Sequence, residues 1–385
     1  MSVRDLIENI RGSSPLVNAI DAAHGRGNAQ AMSHAWLLVS PSSDGRKRCA
    51  RHFAAALMCP HGGCGQCGIC KTVLVGAHPD VTIVTTHTLS TGVAQVRELV
   101  SKSSMAPTVG AYQIILIEDG EKMTDQAADA LLKSLEEPPA TTVWILCAPS
   151  SEDMIVTVRS RSRIVRLGLT PVGELTTRLV SEGIDQDTAD LAAHISQGDY
   201  DKAICFARDE YMRSFRDRIC AIPPQLDDLS SAITYAASLM EMADDYAAHM
   251  TDDDAKREMD EMKKTLGHGM KGVKSTQKNS VKSLEDEHKL RLKRAQRDAL
   301  DQICDLLSSW YRDVMICQLA GGESYGWRPV NIDCMDAIVH QANTSRVEWT
   351  LGYLDALDRF HTDLITNVTP TLAMERLMVS LARLV

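Results

Sequence analysis

Short apolar runs alternate with amphipathic stretches along the first 167 residues of the chain. The apolar runs have the length and composition of buried strands and cover residues 34–39, 80–85, 112–117, 142–148 and 164–167. The stretches between them predict helices, since apolar side chains recur there at helical intervals, over residues 48–57, 93–102 and 124–137. Strands that alternate with helices favour a parallel sheet joined by right-handed crossovers, so we expect an α/β domain over residues 1–167.

The strand pattern fades after Thr170, and the rest of the chain predicts helices. Residues 168–207 contain short helical patterns that fit a small helical domain. Amphipathic helices predicted farther along, among them 301–319 and 347–360, fit an all-helical C-terminal domain over residues 208–385.

The most heavily charged part of the chain is residues 252–297. Its core, LGHGMKGVKSTQKNS (266–280), is rich in Gly, Lys and Ser and poor in apolar residues. This composition predicts a mobile excursion between two helices. A solvated loop is favoured over a DNA-binding arm, which stays open as the alternative.

Composition narrows the class of protein. At 385 residues the chain is too long for one ordinary core, and 44% hydrophobic content with 4% aromatics is typical of helix-rich packing. A formal net charge of -10 argues against a protein that binds DNA by itself. Charges interrupt the N-terminal apolar pattern, and no segment approaches about 18 consecutive apolar residues, so we expect neither signal peptide nor membrane span. We therefore expect a cytoplasmic protein whose eleven cysteines stay reduced.

A cluster of cysteines follows the first predicted helix. Cys59, Cys64, Cys67 and Cys70 have the spacing C-x4-C-x2-C-x2-C and are interleaved with glycines. Four thiolates this close can surround one tetrahedral zinc ion, and four protein ligands leave no open position for a reacting water. We expect a structural zinc site; His61 as a replacement ligand and a set of free thiols are the alternatives.

The segment VSPSSDGRKR (39–48) follows the first predicted strand, where a phosphate-binding loop would lie. A working loop has the pattern GxxxxGK[ST]. In that frame Ser40 replaces the first Gly, Gly45 keeps the second, Arg46 replaces the Lys and Lys47 replaces the Ser/Thr. The magnesium-binding hydroxyl is lost and a broad guanidinium replaces a point charge, so no tightly bound nucleotide is expected. Taken alone, the segment also fits an ordinary surface turn.

Two acidic residues, Glu118 and Asp119, follow the strand predicted at 112–117. An ATPase would present Asp and then Glu here, one for magnesium and one for the attacking water. In this chain the order is reversed. Glu118 is one methylene longer than the Asp of an ATPase, and Asp119 is one methylene shorter than the Glu. Two chance surface acids are the alternative, which their position after a buried strand disfavours.

A basic hexamer, VRSRSR (158–163), follows the strand at 142–148 and a loop. Such a run is most often a solvated face. Its position at the edge of the predicted sheet domain favours a function.

Together these residues resemble the clamp-loader branch of the AAA+ proteins. The resemblance rests on HAWLL before the loop, the cysteine cluster after it, the run ILIEDGEKMTDQAADALLKSLEEPP, and the Ser-Arg-x element at 160–162. It is dense over residues 34–167, thinner over 168–207 and weak beyond. The family implies an AAA+ type parallel sheet domain with a zinc module, a small helical lid domain and a C-terminal helical collar domain.

The resemblance also implies a role for Arg161. ATP-hydrolysing members use the arginine of a Ser-Arg-Cys motif to reach the nucleotide of a neighbouring subunit, and a member without a working P-loop keeps that arginine. Ser162 replaces the Cys here. An arginine supplied in trans can be worth roughly 10³ to 10⁵ in rate. Active members also carry G-S-x-R-x-A in the lid, and the matching GDYDKA has Asp201 at the arginine position.

The function so implied is that of a non-catalytic subunit of the bacterial DNA polymerase III clamp loader, without ATPase activity of its own. Its partners would be ATPase subunits of tau/gamma type and a delta-type subunit in a hetero-pentameric ring, and through that ring the sliding clamp and primed DNA. One alternative is a weak ATPase in which Arg46 or Lys47 replaces the P-loop lysine. The other is a zinc-containing DNA-binding module, which the acidic net charge disfavours.

Overall fold

The computed structural model describes residues 2–85, 90–266, 275–320, 329–366 and 368–382. The chain divides into two compact units. The first comprises Met1–Gly183 and Ser196–Ile204, and the second comprises Ile184–Ile195 and Cys205–Val385. The finer division into 1–167, 168–207 and 208–385 stays a prediction.

A five-stranded parallel sheet forms the centre of the first unit. Its strands are β1 (Ala35–Val39), β2 (Val81–Val84), β3 (Gln113–Ile117), β4 (Thr142–Ala148) and β5 (Arg163–Arg166). Their order in the sheet is β2-β3-β4-β1-β5, so β5 is an edge strand. The inner strands β3, β4 and β1 are buried along their whole length, which explains their nearly continuous apolar sequences. The predicted α/β fold with a parallel sheet is confirmed.

Helices cover both faces of this sheet. The helices of the first unit up to β5 are α1 (Val3–Glu8), α2 (Ser14–Ala23), α3 (Ser43–Met58), α4 (Gly68–Leu74), α5 (Val93–Ser103), α6 (Asp125–Glu136) and α7 (Val156–Arg159). Alternate residues of a strand face opposite sides. Trp36 and Leu38 pack with α1 to α4, whereas Leu37 and Val39 pack with α5, α6 and α7. The sheet therefore separates two apolar layers.

The remaining helices follow β5. They are α8 (Val172–Ser181), α9 (Gln186–Ile195), α10 (Tyr200–Arg208), α11 (Glu210–Cys220), α12 (Leu229–Leu266), α13 (Ser275–Ala320), α14 (Met335–Thr344), α15 (Val347–Ile365) and α16 (Pro370–Leu381). In the second unit, α11 to α16 surround an apolar core that contains Trp310, Tyr311 and Phe360. The predicted helices at 301–319 and 347–360 lie within α13 and α15. No helix of the described residues has both the length and the apolar composition that a membrane span requires.

The charged segment 252–297 differs from its prediction. Leu266 ends α12 and Ser275 begins α13, so the predicted mobile excursion over 266–280 is wrong for the residues the structure describes, and 267–274 lie outside them. Charged side chains of the described residues connect the two helices at Glu258. Glu258 accepts hydrogen bonds from Arg291 at 2.8 and 2.9 Å and lies 2.9 Å from Nε2 of His288.

Candidate functional site

The four cysteines of the cluster converge on one point. Their sulfur atoms all lie within 4.8 Å of one another. The Sγ atom of Cys59 is 3.7 Å from that of Cys64 and 3.8 Å from that of Cys67. Four sulfurs bound to one ion at about 2.3 Å in a tetrahedron are about 3.8 Å apart. The cluster could therefore hold a metal ion.

Two helix ends and a glycine-rich turn bring these thiols together. Cys59 directly follows α3, and Cys67 directly precedes α4, where its sulfur accepts a hydrogen bond from the N–H of Cys70 at 3.4 Å. Between them Gly63 has φ of +101°, and a Cβ there would lie 3.1 Å from that of Ala56. Glycine is required at this turn because it can adopt positive φ without a side-chain clash.

His61 does not join the cluster. Its side chain is exposed, and the metal-competent group found among the described residues consists of the four cysteines. The backbone N–H of His61 donates to Cys59 Sγ at 3.4 Å. Backbone N–H groups of Gln66 and Cys67 lower the pKa of Cys64 to about 6. Because the thiolate is the form that binds metals, these donors favour metal binding.

The connection between β1 and α3 is too short to surround a phosphate. It consists of Ser40, Pro41 and Ser42, since α3 begins at Ser43 and not at residue 48 as predicted. Ser42 causes the early start, because its hydroxyl caps the helix by accepting a hydrogen bond from the N–H of Gly45 at 3.0 Å. Pro41 has no N–H to offer. The backbone donors of a phosphate-binding loop are thus partly absent and partly used within the chain.

Arg46, at the position of the P-loop lysine, is turned into the protein. Its side chain is only 4% exposed, and Nη1 donates to the carbonyl oxygen of Ser40 at 2.8 Å. Nη2 lies 3.9 Å from Glu121 Oε1. The guanidinium therefore folds back over the three-residue connection.

The two acids after β3 are buried and paired with cations of α3. Asp119 is 3% exposed, and its Oδ1 lies 3.0 Å from Nζ of Lys47. Glu118 is 1% exposed and accepts hydrogen bonds from Nε of Arg51 at 2.6 Å and from the hydroxyl of Thr85 at 2.7 Å. The carboxylates that an ATPase would direct toward magnesium and water are engaged by the chain's own cations.

Asp201 closes the same site from the segment 196–204. It forms an ion pair with Arg48, whose guanidinium lies over the ring of Tyr200, 5.5 Å from its centroid. Arg178 lies over that ring at 3.7 Å. Burial raises the pKa of Asp201 to about 6, against the opposing charge of Arg48. These side chains form part of the lining of an open cleft at this point.

Arg161 lies apart, in the turn between α7 and the edge strand β5. Its side chain is 35% exposed. Nε donates to Glu136 Oε1 at 2.6 Å, and Nη2 is 2.5 Å from the same oxygen. Nη1 donates to the carbonyl oxygen of Thr157 at 3.0 Å and to the hydroxyl of Ser160 at 3.2 Å. The guanidinium is therefore held at the surface by neighbouring groups.

The predicted residues thus fall into three groups. One surrounds the N-terminus of α3 and contains Ser40, Gly45, Arg46, Lys47, Glu118, Asp119 and Asp201; the other two are the cysteine cluster and Arg161. Sequence reasoning missed the partners Arg48, Arg51, Thr85, Glu121 and Glu136. The sequence did contain a signal for Arg48 and Arg51. Several cations near the N-terminus of a helix are unfavourable unless acidic side chains compensate their charge, so acidic partners could have been expected.

The sequence family described as "DNA polymerase III, delta subunit" matches residues 18–170. The chain is 36% identical over 135 residues to DNA polymerase III subunit delta' of Pseudomonas aeruginosa, covering 34% of this chain and 41% of the relative. It is 33% identical over 163 residues to the subunit delta' of Escherichia coli, covering 42% of this chain and 48% of the relative.

Among solved structures, a DNA polymerase III gamma subunit-related protein from Thermotoga maritima aligns with a TM-score of 0.45 and 14% identity, covering 94% of this chain and 98% of the other. The chain spans less than half the length of the two delta' relatives. The family model lies over the sheet domain and its immediate flanks. Over this part of its length, the chain is similar to DNA polymerase III delta-prime subunits.

Proposed function

We propose that the chain is a non-catalytic subunit of the DNA polymerase III clamp loader and that it supplies Arg161 to the ATP site of a neighbouring ATPase subunit. The proposal extends a relationship found over residues 18–170 to the activity of the whole chain. In this role the chain takes part in loading a sliding clamp onto primed DNA, and it hydrolyses no ATP itself.

The proposal is supported by a contrast between two cations, Lys47 and Arg161. Lys47 lies 3.0 Å from an acid that is 3% exposed, whereas Arg161 is paired with Glu136, which is 48% exposed. Separating a buried ion pair costs about 3–5 kcal/mol, and an exposed pair is worth about 0–1 kcal/mol. A phosphate can therefore recruit Arg161 at little cost, and it would have to disrupt the fold to recruit Lys47.

The test is Arg161→Ala in a reconstituted loader in which only the ATPase site facing this chain is left competent. We expect normal assembly and a fall in kcat of roughly 10³-fold or more, as for other arginine fingers. Arg163→Ala is the matched control, since Arg163 is also exposed in the same basic run and donates to the carbonyl oxygen of Ala31 at 2.6 Å. Unchanged turnover in Arg161→Ala would reject the finger role.

Nucleotide binding by the isolated chain separates this proposal from the alternative of a weak ATPase. The alternative requires Arg46 or Lys47 to face phosphate, and their side chains are 4% and 16% exposed. Titration of the chain with Mg-ATP, followed by calorimetry, should give no binding in the micromolar range. Micromolar affinity together with hydrolysis would favour the ATPase.

We further propose that the metal of the cysteine cluster is zinc with a structural role. The four thiols suit a borderline-soft ion in tetrahedral geometry, and they leave no position for a reacting water. Elemental analysis of purified protein should give about one zinc per chain, as a single four-ligand site requires. A folded protein that contains no metal would contradict the assignment.

The proposed partners are ATPase subunits of tau/gamma type and a delta-type subunit in a hetero-pentameric ring, in the cytoplasm. The C-terminal helices around Trp310 and Phe360 would form the collar that joins the subunits. Co-purification of this chain with those subunits, with stoichiometry measured by native mass spectrometry, tests the assembly.

A further inference from the structure

We infer that Glu136 is a positioning residue for the arginine finger: it holds Arg161 in the orientation in which its Nη2 edge meets the neighbour's phosphate. The inference rests on the proposed function, since it concerns the same side chain. Glu136 is the last residue of α6 and lies 25 positions before Arg161 in the chain.

The two side chains are mounted on the same apolar layer of the sheet domain. Leu135, next to Glu136, is 1% exposed, and Val158, at the start of the basic run, is fully buried. Both belong to the core cluster that covers one face of the sheet. Because packed cores do not deform freely, the distance between the bases of Glu136 and Arg161 is set by the fold.

The contacts of the Arg161 guanidinium determine which of its N–H groups can still bind a phosphate. Nε donates to Glu136 Oε1 at 2.6 Å, and Nη1 donates to Thr157 and Ser160 at 3.0 and 3.2 Å. Nη2 also faces Glu136 Oε1, at 2.5 Å, so one of its two N–H groups is directed at that oxygen. Its second N–H is the donor left for a phosphate oxygen, which a guanidinium binds through directed donors.

The stability of α6 does not explain a carboxylate at this position. The C-terminal end of a helix carries partial negative charge, so an acid in the last turn is unfavourable. Glu136 and Glu137 both occur there. Arg161 compensates the charge of the first, which indicates that Glu136 serves the arginine and not the helix.

A free arginine side chain samples many rotamers, and fixing one of them costs conformational entropy. If Glu136 orients Arg161 before the neighbouring subunit binds, part of that entropy cost is removed. The exposed pair is too weak to keep Arg161 from a phosphate, so the contact orients the side chain without blocking it. An exposed ion pair of this kind changes the fraction of correctly oriented Arg161 side chains by about two- to fivefold.

The experiment uses the same reconstituted loader with one competent ATPase site. We expect Glu136→Ala to lower kcat about two- to fivefold with KM for ATP unchanged. Glu136→Gln should recover part of the loss, since its amide oxygen can still accept the Nε hydrogen bond. Glu137→Ala is the matched control, an exposed carboxylate one residue along, and it should match the wild type.

The double variant Glu136→Ala/Arg161→Ala distinguishes positioning from a structural role. If Glu136 acts through Arg161, the double variant has the kcat of Arg161→Ala alone. A further loss in the double variant, or a kcat in Glu136→Ala equal to or above that of the wild type, would overturn the inference. Full turnover in Arg161→Ala instead refutes the proposed function, so the two failures are separable.

Discussion

The substitution Glu118→Gln tests whether the acid predicted to belong to a degenerate nucleotide site is part of the folded core. Glu118 is 1% exposed and accepts two hydrogen bonds, from Arg51 at 2.6 Å and from Thr85 at 2.7 Å. In an ATPase a residue at this place would serve magnesium, and its loss would mainly affect activity. Here the Glu118 carboxylate stabilises the fold, so its replacement by the neutral amide of Gln should lower the stability of the first unit.

The magnitude follows from these contacts. A hydrogen bond to a charged group contributes about 1.5–3 kcal/mol. The Thr85 hydroxyl can rotate to suit an amide, so the loss should come from the Arg51 pair, whose arginine is 36% exposed and can recover some hydration. We therefore expect about 2 kcal/mol, which corresponds to a fall in Tm of roughly 4–8 °C for a unit of this size.

Glu121→Gln is the matched control, and it should not lower the stability of the first unit as Glu118→Gln does. Burial raises the pKa of Glu121, and its Oε2 atom has no hydrogen-bond partner among the described residues. A raised pKa in the fold means that stability is lost as the pH rises past the usual glutamate value. Replacement by a neutral amide should leave stability at neutral pH unchanged or slightly higher.

Urea denaturation followed by circular dichroism measures both variants, and titration with Mg-ATP measures nucleotide affinity. The reasoning fails if Glu118→Gln is as stable as the wild type. It also fails if the wild type binds Mg-ATP and Glu118→Gln loses that binding, because the carboxylate would then serve a ligand.

Two further predictions concern Asp201 and the cysteine cluster. The pKa of Asp201 is raised to about 6 from 3.8, so the wild type should lose stability as the pH rises between these values, and Asp201→Asn should remove that part of the pH dependence in thermal denaturation. An equal pH profile in both proteins would contradict the raised pKa. A strong chelator should lower the Tm of the wild type, since binding to the native state alone stabilises it, and it should have little effect on Cys67→Ser, which lacks a full ligand set.

Much of the sheet domain could be predicted from the sequence. Each strand lies in or beside a predicted apolar run. For the inner strands β1, β3 and β4 the reason is that strands buried on both faces need nearly continuous apolar residues. The cysteine cluster was also predictable, since its ligands are close in sequence and a short segment can bring them together. Helix starts were less predictable. Ser42 begins α3 early through a cap that depends on one hydroxyl. Within the charged segment, α12 continues to Leu266 and α13 begins at Ser275, and Glu258 of one helix pairs with Arg291 of the other.

The sequence by itself determined the alternation of strands and helices, the thiol set and the absence of a complete P-loop motif, because these depend on residue type and on neighbours along the chain. Only the tertiary structure decided which cation pairs with which acid. Lys47 with Asp119, Arg48 with Asp201 and Arg161 with Glu136 join residues far apart in sequence. The strength of each pair depends on burial, which packing alone sets, and this difference in burial separates the buried pair of Lys47 and Asp119 from the accessible Arg161.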